Sequence, residues 1–325
     1  MENKTIAKEQ LNRKQPPRIK DAIEFEMALK PYDHFVLDNG IEVYALNAGP
    51  EEVIQMEWVF RAGNWYENVN GIAGATNFLL KNGTSKYSAY EISEHFDFYG
   101  SYLNRNCYNE TSNITLHSLS KHVAELLPVV SELIMDSVFP QQELEIYKQN
   151  MKQRLDVNLK KCDFVANRMI DEYLYGFEHP YGRYGTFESY AAINRDQIVA
   201  YHDRYYKNGY CSIFVAGLLP KDFKEQLNLH FGKLPLNQNK FDRIGIKAKN
   251  AAQKKYRIDN DKNGVQGAIR LARPFIDRRH PDYFGCHVLN TLFGGFFGSR
   301  LMSNIREDKG YTYGIHSYLQ NHMQE

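Results

Sequence analysis

Eleven histidines are spread along this 325-residue chain, and none of them sits in a spacing that holds a metal on one helix. Two His side chains four residues apart share a helix face and can grip one zinc ion. A Glu beside them would activate the bound water. Neither H-x-x-E-H nor H-E-x-x-H occurs in the sequence. Glu94-His95 has no His four residues on, and His117 and His122 are five apart across a strand–helix junction. These three read as surface or hydrogen-bonded histidines. The cysteines, Cys107, Cys162, Cys211 and Cys286, are far apart with no C-x-x-C pair, which argues against a zinc ribbon or a disulfide framework. Four free thiols fit a reducing compartment.

Bulk properties narrow the function classes. Lys and Arg number 40 against 39 Asp and Glu, a net charge of +1, so no overall bias toward nucleic acid or an anionic membrane is present. Residues 1–21 are polar and charged, with Pro16-Pro17, and lack the apolar segment of a signal peptide. No run of eighteen apolar residues occurs, so no membrane span is expected. The simplest expectation is a cytoplasmic protein. The alternative is a periplasmic one whose export signal has been removed. Nineteen Phe and 23 Tyr serve a packed core and a Tyr-rich surface, or line a peptide cleft.

The elements that would position chemistry begin after an N-terminal arm, residues 1–32. Phe35-Val36-Leu37, Asp38-Asn39-Gly40 and Ile41 to Tyr44 form a hairpin signal, with Asn-Gly favouring a type I′ turn. Val53 to Phe60 is a third strand. Ile72, Ala75, Phe78 and Leu79 recur at helical spacing between Gly71 and Leu80. Ser88 and Glu91 make a capping box for a helix running to Phe98. Tyr102–Asn106 and Thr111–Leu119 read as paired strands, Val123–Val138 and Gln142–Leu159 as helices around Pro140, Ile193–Tyr206 as a helix and Tyr210–Ala216 as a strand.

A polar stretch, 234–253, reads as a linker. Beyond it the order restarts. Gly267–Leu271 is expected as a strand, Asp282–Phe293 and Ser299–Glu307 as helices broken at Gly294-Gly295, and Thr312–Tyr318 as a strand. Strand, helix, helix, strand also describes Val53 to Asn106, which points to an internal repeat. The expected class is α+β, with two homologous domains at 33–233 and 254–325. Each would be an antiparallel-rich sheet packed against helices, the second incomplete. Either the repeat is partial or the chain is shortened at its C-terminus.

Three segments in order resemble the M16 peptidases, the family of pitrilysin, insulin-degrading enzyme and mitochondrial processing peptidase. They are Gly71-Ile72-Ala73 to Asn82-Gly83-Thr84 with Lys86-Tyr87-Ser88; His179-Pro180-Tyr181-Gly182-Arg183 with Gly185-Thr186; and Gly294 to Tyr313, with Ser299-Arg300-Leu301 and Arg306 to Tyr313. The resemblance implies a zinc site built on H-x-x-E-H with a distal Glu, in which zinc lowers the pKa of its water to about 7. Laid on that pattern, Gly74 and Phe78 stand where the two His should be, Asn77 where the Glu should be, and Arg154 near the distal Glu. Gly and Phe carry no ligand atom, Asn77 has no useful basicity, and an Arg repels a divalent cation. The bland reading of the same residues is a helix with an apolar face at Ala75, Phe78 and Leu79, in which Gly74 costs about 1 kcal/mol relative to Ala.

The resemblance also implies that an Arg and a Tyr seven apart contact the substrate from the second domain. Arg306 and Tyr313 have that spacing, with Tyr311 the alternative if the register slips. A guanidinium is a planar donor array, and a Tyr hydroxyl can donate to a carbonyl oxygen or an oxyanion. The plainer readings are an Arg complementing a helix C-terminus and an ordinary strand Tyr.

By this resemblance the chain is an M16 metallopeptidase-like pseudoenzyme that does not cleave peptides alone. It is expected to be the non-catalytic, substrate-contacting subunit of a heteromeric peptidase, with zinc only on a partner M16 subunit. A homodimer is the other assembly, and peptide or unfolded polypeptide the expected ligand. The alternative is a peptide-binding or scaffold protein with no proteolytic role. An active zinc peptidase with atypical ligands is disfavoured by Asn77 and Arg154.

Overall fold

The computed structural model describes residues 28, 30–238, 245–249, 253 and 255–322. The chain separates into compact units at 1–31 and 32–325. The expected arm lies almost wholly outside the described residues, and the expected linker 234–253 partly so.

The centre of the fold is one six-stranded sheet in the order β1-β2-β6-β3-β5-β4. The strands are β1 (Asp33–Val36), β2 (Glu42–Asn47), β3 (Val53–Phe60), β4 (Tyr102–Cys107), β5 (Ser112–Leu119) and β6 (Cys211–Gly217). Only the β2–β6 pair is parallel; the other four pairings are antiparallel. Apolar residues alternate along β3, so Ile54, Met56, Trp58 and Phe60 all face the core. In register beside them lie Leu116 with Val215 across Met56, and Ile114 with Ile213 across Trp58. This alternation buries one face and leaves the other open. On the open face the Tyr44 ring is stacked between His34 and Phe214, with centroids 4.6 and 5.2 Å away.

Nine α-helices are formed among the described residues, several of them packed on the buried face. They are α1 (Ile72–Leu79), α2 (Ala89–Phe98), α3 (Val123–Asp136), α4 (Gln141–Leu159), α5 (Cys162–Tyr175), α6 (Phe187–Ala192), α7 (Arg195–His202), α8 (Phe223–Phe231) and α9 (Tyr283–Asn290). Rings lock them to the sheet: Trp58 meets Phe231 at 5.2 Å, and Phe60 meets Tyr206 at 4.9 Å. The Ser88–Glu91 capping box that opens α2 is formed in both directions. The helix expected over Ile193–Tyr206 is α7 followed by a π-helical turn, Asp203–Lys207.

The hairpin turn departs from type I′, which needs positive φ at both central residues. Gly40 has φ +87°, but Asn39 is not in the left-handed region. The Asn39 side chain has another task. Its amide donates to the carbonyls of Phe231 and Leu234, each at 2.8 Å, and so ties the turn to the end of α8.

The second half holds the larger corrections. The strands expected at Gly267–Leu271 and Thr312–Tyr318 are not formed. Ile269 and Leu271 have the alternation of a strand but are 83% and 94% exposed. No neighbouring strand among the described residues pairs with them, and an unpaired strand gains no ladder hydrogen bonds. Residue Ser317 instead exchanges hydrogen bonds with Asn290 and donates its N–H to the Gly294 carbonyl at 3.0 Å. The two expected helices are present in altered form. One is α9 continued by a π-helical turn at Thr291–Gly295, and the other ends in a π-helical segment at Met302–Asp308. Tyr256 stacks on Tyr173 of α5 at 3.7 Å, and Asn260 donates to the carbonyl of Leu159 at the end of α4 at 3.1 Å. No helix among the described residues is long and apolar enough to cross a membrane.

Candidate functional site

Helix α1 carries the positions where the zinc motif would stand, and its start is built with care. Gly71, at φ +90°, precedes the helix and has no side chain to cap it. Glu67 supplies the cap from four residues upstream, accepting from the N–H of Gly71 at 3.1 Å and of Ala73 at 2.9 Å. Burial pushes this carboxyl up to about 7, against the pull of the two N–H bonds and of Arg183 nearby. The His179–Arg183 motif buttresses the same end. The N–H groups of Gly182 and Arg183 both bond the His179 carbonyl at 2.9 Å, and Asn70 bonds the following Tyr184 carbonyl at 2.7 Å. Gly182 is required there, since a Cβ would lie 2.3 Å from the Gly176 oxygen. The other end of α1 leads to Gly83-Thr84. Gly83 takes φ +128°, and the Thr84 hydroxyl donates to buried Glu132 at 2.9 Å while accepting from the N–H of Tyr87.

Between these supports, Gly74 and Phe78 face Tyr147 while Asn77 turns inward. A Cβ on Gly74 would meet the Tyr147 hydroxyl of α4 at 3.8 Å. Asn77 is buried and turned inward, its amide donating to the Tyr206 hydroxyl at 3.2 Å and the Asn113 carbonyl at 3.4 Å. Phe78 is 45% exposed, and its ring lies 5.1 Å from that of Tyr147. Arg105 of the edge strand β4 covers the Phe78 ring at 5.3 Å and donates from Nη1 to the Phe78 carbonyl. Burial lowers this guanidinium to about 10, so it is charged at neutral pH. Arg154 is exposed on α4, and its charge favours ionisation of the Tyr147 and Tyr190 hydroxyls, although burial raises both above the usual value.

The donor set does not fit zinc. Gly74 and Phe78 offer no ligand atom, the Asn77 amide is committed to the core, and two arginines flank the place. Nowhere among the described residues do three His, Cys, Asp or Glu side chains gather as a metal site. His95 bonds the Glu125 carbonyl at 3.1 Å, while His117 and His122 lie against the rings of Tyr102 and Tyr99.

Arg306 and Tyr313 are not brought to α1. The Arg306 guanidinium lies 4.8 Å from the Phe297 ring centroid and pairs with Glu307 at 3.1 Å. Tyr313 is 96% exposed and Tyr311 77%. Neither Arg306 nor Tyr313 has a hydrogen bond, ion pair or ring contact to α1, α4 or β4 among the described residues.

Three residues of the α1 surroundings were not legible as site residues: Glu67, Arg105 and Tyr147. Tyr147 had a signal, since it stands seven residues before Arg154 on one helix and so shares its face. Glu67 precedes a helix start that lacks any capping side chain. Nothing local marks Arg105, which arrives from another strand.

Two family models match the chain: one described as Insulinase (Peptidase family M16) over residues 43–180, and one described as Peptidase M16 inactive domain over residues 192–324. The chain belongs to the M16 peptidase family. It is 26% identical over 288 residues to the uncharacterized zinc protease YmxG of Bacillus subtilis, covering 87% of this chain and 69% of that one. An uncharacterized zinc protease of Rickettsia felis is 23% identical, covering 87% and 68%. Among solved structures, a peptidase M16 inactive domain from Pseudomonas fluorescens superposes with a TM-score of 0.72 at 24% identity, covering 90% of this chain and 71% of that one. A protease from Helicobacter pylori superposes with a TM-score of 0.73 at 17% identity, covering 90% and 72%.

Proposed function

We propose that this chain is a non-catalytic, substrate-contacting M16 subunit that works beside a zinc-bearing M16 chain. The observation that carries the reading is the state of α1. Gly74, Asn77 and Phe78 hold no zinc donors, and Tyr147 and Arg105 pack against them. The second half retains Arg306 and the exposed Tyr313 at the spacing suited to a peptide backbone. Peptide or unfolded polypeptide is the substrate, and the metal and its hydroxide belong to the partner chain. The test is co-expression with an H-x-x-E-H homologue, followed by peptidase assay of the pair. Arg306→Ala and Tyr313→Phe are each expected to lower kcat/KM of the pair at least tenfold without preventing association. A pair that never associates, or activity unmoved by both substitutions, contradicts the proposal.

A second reading, peptide holding without proteolysis, is favoured by one feature: β4 is an edge strand, paired with β5 alone among the described strands. Its open side could accept an extended peptide by strand addition. Calorimetry of the isolated chain with unfolded peptides separates the readings. Binding that persists without any effect on a partner's proteolysis supports the second.

A further inference from the structure

We infer that Arg105 and Tyr147 have taken over the place of a metal in tying α1 to its neighbours, and that they close the site to zinc even when the donor residues are put back. A metal held by side chains of α1 and α4 would cross-link those two helices. Without donors, the two must be joined another way. Here the link is the Phe78 and Tyr147 rings, 5.1 Å apart and tilted by 38°. The Tyr147 hydroxyl, in turn, is the nearest outside atom to the Cβ position of residue 74, at 3.8 Å. An imidazole there would have to displace it or turn away.

Arg105 completes the arrangement from β4. Its guanidinium lies 5.3 Å from the Phe78 ring centroid, and Nη1 donates to the Phe78 carbonyl. That carbonyl is in the last turn of α1, where orphan C=O groups carry partial negative charge and attract a cation. The Nε of Arg105 is buried with no partner of its own. A half-buried charged group with one unsatisfied donor is costly, and it persists because the ring and the helix end hold it. Its field reaches Lys81, whose pKa falls through burial first and then through Arg105. Any ligand atom placed on residue 78 would share its surroundings with this guanidinium, and a divalent cation bound there would be repelled by it. This rests on the reading of α1 as the place of the M16 zinc motif, and not on the proposed partnership.

The experiment compares two variants of the full chain. One restores the donors: Gly74→His, Asn77→Glu, Phe78→His and Arg154→Glu. The other adds Arg105→Ala and Tyr147→Leu. Zinc affinity is read by competition with a chromophoric chelator, on protein whose circular dichroism matches the parent. The six-substitution variant is expected to bind zinc at least a hundredfold more tightly than the four-substitution one. Affinities within threefold of each other, or a folded six-substitution variant that binds no zinc, overturn the inference. Should either variant fail to fold, the parent chain carries the test through Arg105→Met and Arg105→Lys. Met is expected to lower the thermal midpoint by several degrees and Lys to recover part of the loss. An unchanged midpoint for Met overturns it.

Discussion

Glu67 caps α1 with a carboxyl that burial raises to about 7. A carboxyl in the unfolded chain titrates near 4.5, so between about pH 4.5 and 7 the folded chain binds more protons than the unfolded one. Stability from this group therefore falls as pH rises through that window, by about 3 kcal/mol. Glu67→Gln keeps an oxygen for a helix N–H and removes the charge. Urea midpoints of parent and variant at pH 5 and pH 8 should show the parent losing more stability toward pH 8 than the variant; equal losses would contradict the assignment. Asn77 is the other residue whose role is fixed by partners. Asn77→Leu leaves the Tyr206 hydroxyl and the Asn113 carbonyl without their donor, at a cost of about 1–3 kcal/mol, read as a lowered thermal midpoint. A midpoint equal to the parent's would show that the inward amide does not matter. The missing donors at Gly74, Asn77 and Phe78 could be read from register alone, because H-x-x-E-H is a local pattern on one helix. What replaced them could not, because Arg105 and Glu67 reach α1 from outside it.

Among the elements, those with local signals were legible. The capping box of α2, the apolar spacing of α1 and the Pro140 break between α3 and α4 place those helices to within about two residues. Helix α8 was overlooked although Phe223, Leu227 and Phe231 recur every four residues and all are buried. Helix α5 gave less to see, with Val165 its one fully buried apolar residue among the described ones. Asn39 shows how a turn signal is overridden from a distance: the Asn-Gly pair signals a hairpin turn, but its amide is spent on the carbonyls of Phe231, the last residue of α8, and of Leu234. Asn39→Ala should therefore loosen α8 rather than only the hairpin. The expected loss is about 1–3 kcal/mol, with amide exchange rising most at residues 223–231. Faster exchange confined to 37–41 would contradict this.

At the scale of the whole chain, the M16 resemblance is matched by family models over residues 43–180 and 192–324, while the strands expected in the second half are not formed. A strand is defined by its neighbours as much as by its own residues, and the stretches 267–271 and 312–318 have none among the described residues. The first half holds Gly74, Asn77 and Phe78 where the zinc motif would stand, whereas the second holds a half-buried Arg306 and an exposed Tyr313. On the proposed reading, such a chain relies on a partner for its metal. The most direct test is the zinc content of the isolated chain, purified without chelator and measured by atomic emission. The expected result is far less than one zinc per chain; about one zinc per chain, lost on dialysis against chelator, would contradict it.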